Sequence, residues 1–151
     1  MSKIIQLKDS SGKIYPKTIT NIITVSLSQN TSVNQNAKIP LDKKDSQVGS
    51  NLSFTNNGIV IGDNISYVKI TGMLSVQYSA SNTIYSAQIK INGNEILPLR
   101  TWTYKNSTHV KSATFTNYLV KVKKGDIIEL YLYDNKAVIR PETSITVEQV
   151  L

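Results

Sequence analysis

The segment Arg100-Thr101-Trp102-Thr103-Tyr104-Lys105-Asn106-Ser107-Thr108-His109 holds the only tryptophan and the only histidine of the chain. A tyrosine follows the indole by two residues. Aromatic rings stack on the apolar faces of sugars, and amide, hydroxyl and cationic groups hydrogen-bond to hydroxyls or phosphates. Arg100, Trp102, Tyr104, Lys105, Asn106 and His109 are therefore the candidate receptor- or glycan-binding residues. A wall glycan or teichoic-type polymer is the ligand that suits them. The alternation of Trp102, Tyr104 and Asn106 with Thr101, Thr103 and Lys105 equally suits a plain strand whose aromatics cover the core or an interface.

Catalysis has little material. A histidine-based triad has only His109 to use, and no serine stands in a Gly-x-Ser-x-Gly setting. The ten carboxylates show neither the spacing of a calcium loop nor that of a glycosidase pair. Without cysteine there is no disulfide, thiol nucleophile or thiolate metal site. No catalytic residue, metal ligand or cofactor is expected, and the chain reads as a non-enzyme.

The formal charge of +7 raises nucleic acid as a partner. The lysines are scattered, clustering only at Lys43-Lys44 and at Lys121, Lys123 and Lys124, and the arginines are just Arg100 and Arg140. That pattern suits loose attraction to an anionic surface better than specific nucleic-acid recognition. The opening Met-Ser-Lys-Ile-Ile-Gln lacks the apolar run of a signal peptide, and no stretch is long enough to span a membrane. Synthesis in the cytoplasm is expected, without membrane insertion, and any extracellular role would follow lysis or assembly into a particle.

The elements that must position these residues are strands. Val68, Ile70, Gly72, Leu74, Val76 and Tyr78 alternate with polar residues, predicting a long half-buried strand with a bulge or close approach at Gly72. Tyr85, Ala87, Ile89 and Ile91 alternate with Ser86, Gln88 and Lys90, running into Asn92-Gly93, a strong hairpin signal. The return strand is expected to stop near Pro98. Between Val110 and Val122 the pattern changes phase, which a bulge near Thr116-Asn117 reconciles. Lys124-Gly125-Asp126 turns the chain into Ile127 to Tyr133, with Ile128, Leu130 and Leu132 inward. Ala37 to Leu41 is expected as a strand and Asp42 to Gly49 as a charged loop. Eight to ten strands in one domain of 151 residues predict an all-β antiparallel sandwich or barrel.

Residues 1–18 read as a separate hairpin, turned at Ser10-Ser11-Gly12, and residues 19–151 as the sandwich. A lone hairpin is marginal in water, so it is expected to dock on another protein. Tyr131 and Tyr133 lie opposite Ile128, Leu130 and Leu132, making that strand apolar on both faces. Such a strand needs cover on both, from a subunit interface or from a second layer of the same chain. The interface reading takes Tyr131 and Tyr133 as its residues.

Two resemblances follow from these residues. The run Ile5-Gln6-Leu7-Lys8-Asp9-Ser10-Ser11-Gly12-Lys13-Ile14-Tyr15-Pro16-Lys17-Thr18 resembles the opening of bacteriophage fibre and virion-appendage proteins. It implies a virion anchor built on Leu7, Ile14, Tyr15 and Pro16. Residues 37–151 resemble the trimeric jelly-roll heads of tumour-necrosis-factor-like proteins, complement-type globular heads and phage receptor-binding tips. The likeness is carried by Leu52-Ser53-Phe54, Gly58-Ile59-Val60-Ile61, the long strand from Tyr67, the Asn92-Gly93 hairpin, Leu119 to Val122 with Lys124-Gly125-Asp126, and the closing strand. Met73 stands where such heads carry an aromatic, and the closing strand lacks their Phe-x-Gly. The resemblance implies a jelly-roll homotrimer with one sheet of each subunit facing the threefold axis.

The expected function is a short trimeric fibre of a phage virion, on the head or at the tail tip. It would contact capsid or tail proteins and bind the host surface or decorate the capsid. A carbohydrate-binding module or toxin-like sandwich of bacterial origin, without a virion role, is the alternative.

Overall fold

The computed structural model describes residues 5–8, 10, 14–17, 20–56, 58–77, 83–105 and 111–150, of which 5–8, 14–17, 104–105, 111–112 and 115–117 by backbone alone. Strands β1 (Ile5–Lys8) and β2 (Ile14–Lys17) form a two-stranded antiparallel sheet of their own, with Leu7 opposite Tyr15 and Lys8 opposite Ile14. The anchor residues Leu7, Ile14, Tyr15 and Pro16 all lie on these two strands.

The other strands build two facing sheets. In chain order they are β3 (Ile22–Ser26), β4 (Thr31–Val33), β5 (Lys43–Val48), β6 (Leu52–Thr55), β7 (Gly58–Ile61) and β8 (Tyr67–Gln77). Then come β9 (Thr83–Ile91), β10 (Asn94–Lys105), β11 (Lys111–Lys121), β12 (Ile127–Asp134), β13 (Ala137–Ile139) and β14 (Ser144–Val150). One sheet runs β10-β9-β12-β7-β6, and the other β4-β13-β8-β14-β3-β5 with β11 on the far edge of β8. Every pairing is antiparallel. Fourteen strands are thus described where alternation predicts eight to ten, and no helix occurs among the described residues.

Alternation decides what each sheet buries. Ile70 of β8 lies level with Val147 of β14, and Val147 with Ile23 of β3, so three fully buried β-branched residues form one row of the core. The five-stranded sheet answers with Ile59, Ile89, Leu130 and Leu132, all fully buried. Inner faces that interdigitate in this way are how a sandwich excludes water from both sheets at once. Asn92 and Gly93 both take positive φ, 51° and 78°, as a two-residue hairpin turn requires. The phase change in β11 is a register shift between Phe115 and Tyr118, at the bulge that the sequence predicts there.

Four local expectations are corrected. Gly72 pairs regularly with Ile145, and the irregularity beside it belongs to β11, whose extra residues face β8 near Thr71. The segment 42–49 contains a strand, β5, on the edge of the larger sheet; its Lys-Lys-Asp-Ser-Gln-Val run is exposed but for Gln47, so no apolar period marks it. Ala37 to Leu41 makes only the single bridge Lys38 to Tyr131, clipped to β12 by Ile39 N–H donating to Leu130 O at 2.8 Å. Pro98 does not end its strand, because β10 continues to Lys105 past an irregularity between Glu95 and Arg100.

Near the start of β14, the Arg140 guanidinium donates two hydrogen bonds to the Glu142 carboxylate, at 2.9 and 2.8 Å. Those bonds hold the Glu142 carboxyl down at about 2. A carboxyl with a depressed folded-state pKa stabilises the fold above its unfolded value, ordinarily about 4.3, and loses that contribution as pH falls through the folded value. The pair is partly exposed and screened by solvent, so the effect is small. Glu142→Gln is therefore expected to lose a little stability at neutral pH and to show a shallower decline on acidification. Urea midpoints across the acid range check this, and parallel declines for both chains would contradict it.

Candidate binding face

The outer face of the five-stranded sheet gathers most of the polar chemistry that lies off the loops. Its inner positions Tyr85, Ala87, Ile89 and Ile91 fill the core, which leaves Ser86, Gln88 and Lys90 pointing away from it. Across the sheet these three meet residues of β10 and β12 in rows. Trp102 pairs with Ser86 and Ser86 with Asp134; Arg100 pairs with Gln88 and Gln88 with Tyr131; Glu95 pairs with Lys90 and Lys90 with Glu129.

Arg100 and Trp102 reach this face only because β10 is irregular. Continuous pairing from the Asn92-Gly93 turn, set by Asn94 opposite Ile91, would place Leu97 opposite Gln88 and Arg100 opposite the core residue Tyr85. Instead Arg100 stands opposite Gln88, three positions further along the strand. An odd shift moves every following side chain to the other face of the sheet. Pro98, which has no N–H to give a ladder, lies inside the shifted stretch.

The face is roofed by cations over aromatic rings. The Arg100 guanidinium carbon lies 3.8 Å from the centroid of Tyr133, and Lys90 Nζ lies 4.4 Å from that of Tyr131. Such contacts contribute roughly 0.5–1 kcal/mol each at exposed sites. Arg100 Nη2 also donates to Gln88 Oε1 at 3.1 Å and lies 3.5 Å from Glu95 Oε2. Ser86 donates to the Asp134 carboxylate, and Lys38 Nζ pairs with Glu129 at 2.8 Å. Under this cover Ser86 and Gln88 are buried although they point outward. Among the described residues two buried donors nevertheless find no acceptor: Gln88 Nε2 and Arg100 Nε.

Trp102 lies at the margin of the roof and is 67% exposed; Ile84, its diagonal neighbour across β9, is 47% exposed. Of the other candidate residues, Tyr104 and Lys105 lie on β10 opposite Ile84 and Thr83, while Asn106 and His109 fall outside the described residues. Gln88, Ser86 and Asp134 join the face without having been singled out from the sequence, and Tyr133 joins it as a partner of Arg100 rather than as the interface residue expected. The alternation around β9 puts Ser86 and Gln88 on this side, but nothing in the residue pattern reveals the three-residue shift that brings Arg100 to them. Tyr131 and Tyr133 lie on this same face, each half-buried beneath a cation of its own chain. Among the described residues no group of three or more His, Asp or Glu is placed to hold a metal ion.

Two facing antiparallel sheets in this strand order form a jelly-roll sandwich. No protein-family model matches the chain, and no curated protein matches its sequence. Among solved structures the chain is similar to murine APRIL at pH 5.0, with a TM-score of 0.72 and 11% identity over 87% of this chain and 99% of that one. It is also similar to Eiger TNF from S. frugiperda, with a TM-score of 0.63 and 11% identity over 88% and 92%. The globular domain of zebrafish complement 1qA protein gives 0.62 and 9% over 87% and 97%. At such identities the likeness is one of fold.

Proposed function

We propose that the chain is a non-catalytic binding head that assembles as a homotrimer through the outer face of its seven-stranded sheet. The observation that carries this reading is the make-up of that face. Its centre is a row of short side chains, Thr24, Thr146 and Thr71, with Thr24 and Thr146 hydroxyls 2.9 Å apart. One row along, Val48 and Leu119, each 50% exposed, end a row whose middle is Ile22, Glu148 and Lys69. The row of threonines lets another sheet approach closely there, and the exposed apolar side chains beyond Lys69 and Glu148 gain from being covered. The cover that Tyr131 and Tyr133 need is largely supplied by Lys90 and Arg100, so the proposed association lies on the other sheet. A homotrimer is also what the resemblance to jelly-roll heads implies.

Carriage on a phage particle is the second half of the proposal, and its support is the N-terminal phrase from Leu7 to Thr18. In this reading the β1–β2 hairpin anchors the head to capsid or tail proteins, and several heads engage the host surface by avidity. Antibody raised against the chain is then expected to label intact particles. The assembly half is tested by Thr71→Arg, which puts a charged, long side chain at the centre of the proposed interface. The variant is expected to remain folded and to run as a monomer in light scattering. A trimer unaffected by Thr71→Arg would overturn the assignment of the face.

A further inference from the structure

We infer that the outer face of the five-stranded sheet around Trp102 is a platform for a neutral saccharide, with Arg100 and Gln88 as its hydrogen-bonding side. This deepens the surface-engaging half of the proposed function by giving its ligand a chemical class. Three observations carry it. The first is an indole exposed on a flat sheet face beside a second exposed apolar side chain, Ile84. A flat aromatic surface suits the C–H face of a pyranose ring, which an indole can stack against.

The second is the unspent donor pair. Gln88 is wholly buried, yet its Nε2 has no acceptor, and neither does Nε of Arg100, whose Nη2 bonds the same Gln88 side chain. Buried donors are nearly always paired, because leaving one unpaired forfeits its hydration with nothing in return. Both atoms are covered as the chain stands and lie one row from the exposed indole; a shift of the partly exposed Arg100 side chain would open them to an acceptor from outside. A sugar hydroxyl oxygen supplies one, and the Asp134 carboxylate in the Trp102 row can accept the hydroxyl proton of the same ring.

The third is charge. The rows carry Arg100 and Lys90, with Lys38 at their edge, against Glu95, Glu129 and Asp134. Three cations meet three carboxylates, and two of the cations already form ion pairs. A polyanion gains no net attraction from such a balanced face and would meet the carboxylates directly. The overall charge of +7 is therefore spread elsewhere, and a phosphate polymer is not the ligand that this face selects.

Trp102 is the only tryptophan, so its fluorescence reports on this face alone. The full chain is titrated with chitopentaose, cellopentaose and dextran as neutral probes, and with poly(ribitol phosphate) as the anionic one. The expected result is a saturable emission change with at least one neutral probe and none with the phosphate polymer. By a direct binding measurement, Trp102→Ala is expected to weaken binding roughly tenfold or more, and Trp102→Tyr to restore part of it. Arg100→Lys keeps the charge but loses the planar donor set, and is expected to weaken the same probe with little effect on the urea midpoint. An emission silent to every neutral probe would overturn the inference, as would a response to the phosphate polymer alone. A shift on dilution without saccharide would also overturn it, by putting Trp102 in a protein contact. A monomer that still binds saccharide would sink the assembly and leave the platform standing; a trimer with a silent Trp102 would do the reverse.

Discussion

Leu130→Ala is expected to destabilise the chain by about 3–5 kcal/mol, the largest single effect foreseen here. Leu130 is fully buried on β12, level with Ile89 of β9, and its carbonyl accepts the N–H of Ile39 from the tether along the sheet. Truncation removes apolar area from the core and leaves a cavity that the rigid β9–β12 ladder closes only in part. Leu130→Met, which keeps the volume, is expected to cost less than about 1.5 kcal/mol. Leu97→Ala, at a position 69% exposed, should stay within about 0.5 kcal/mol. Urea unfolding at one fixed protomer concentration measures all three, since association shifts apparent stability by mass action. A Leu130→Ala cost below about 1 kcal/mol would mean that the two sheets do not close on this residue.

Gln149→Leu is expected to cost about 2 kcal/mol or more, although the two side chains are close in size. Gln149 is buried on β14 and its Oε1 accepts from Nδ2 of Asn21 at 2.6 Å, while its Nε2 donates to the Asn64 carbonyl at 3.1 Å. Asn21 Oδ1 in turn accepts the N–H of Asn51 at 3.0 Å. One amide pair thus ties the start of β3, the end of β14 and two loops at the same end of the sandwich. Leucine keeps the packing but leaves the buried Asn21 amide without its acceptor, and that desolvation is the cost, while the Asn64 carbonyl sits on an exposed loop that water reaches. Gly49 strengthens the case: it takes φ +75°, and a Cβ there would stand 2.0 Å from Asn21 Oδ1. A Gln149→Leu chain as stable as the wild type would show that water satisfies the Asn21 amide instead.

How much of this was legible in the residues depends on where each strand sits. β8, β9 and β12 lie inside their sheets with one face on the core, so their period-two pattern is strong and their inward residues are those the alternation selects. The Asn92-Gly93 turn and the bulge beyond Phe115 are also visible, because a positive-φ dipeptide and a parity change are local signals. β5 leaves no such trace. It is an edge strand with little to bury, and charge on an edge guards against unwanted pairing. The site was legible in half. Arg100 and Trp102 announce themselves by type, but their partners Gln88, Tyr133 and Asp134 depend on a register shift in β10 that no local pattern encodes. Tyr131 and Tyr133 show the same limit: their need for cover is readable, whereas the cations that provide it come from strands whose register is not.

The account turns on self-association, and the most direct measurement is the mass of the purified chain by light scattering during size exclusion, repeated on dilution. A mass near three times 16.8 kDa that persists on dilution is the predicted result. A mass of 16.8 kDa at every concentration would contradict it and leave a single-chain module whose outer sheet works alone.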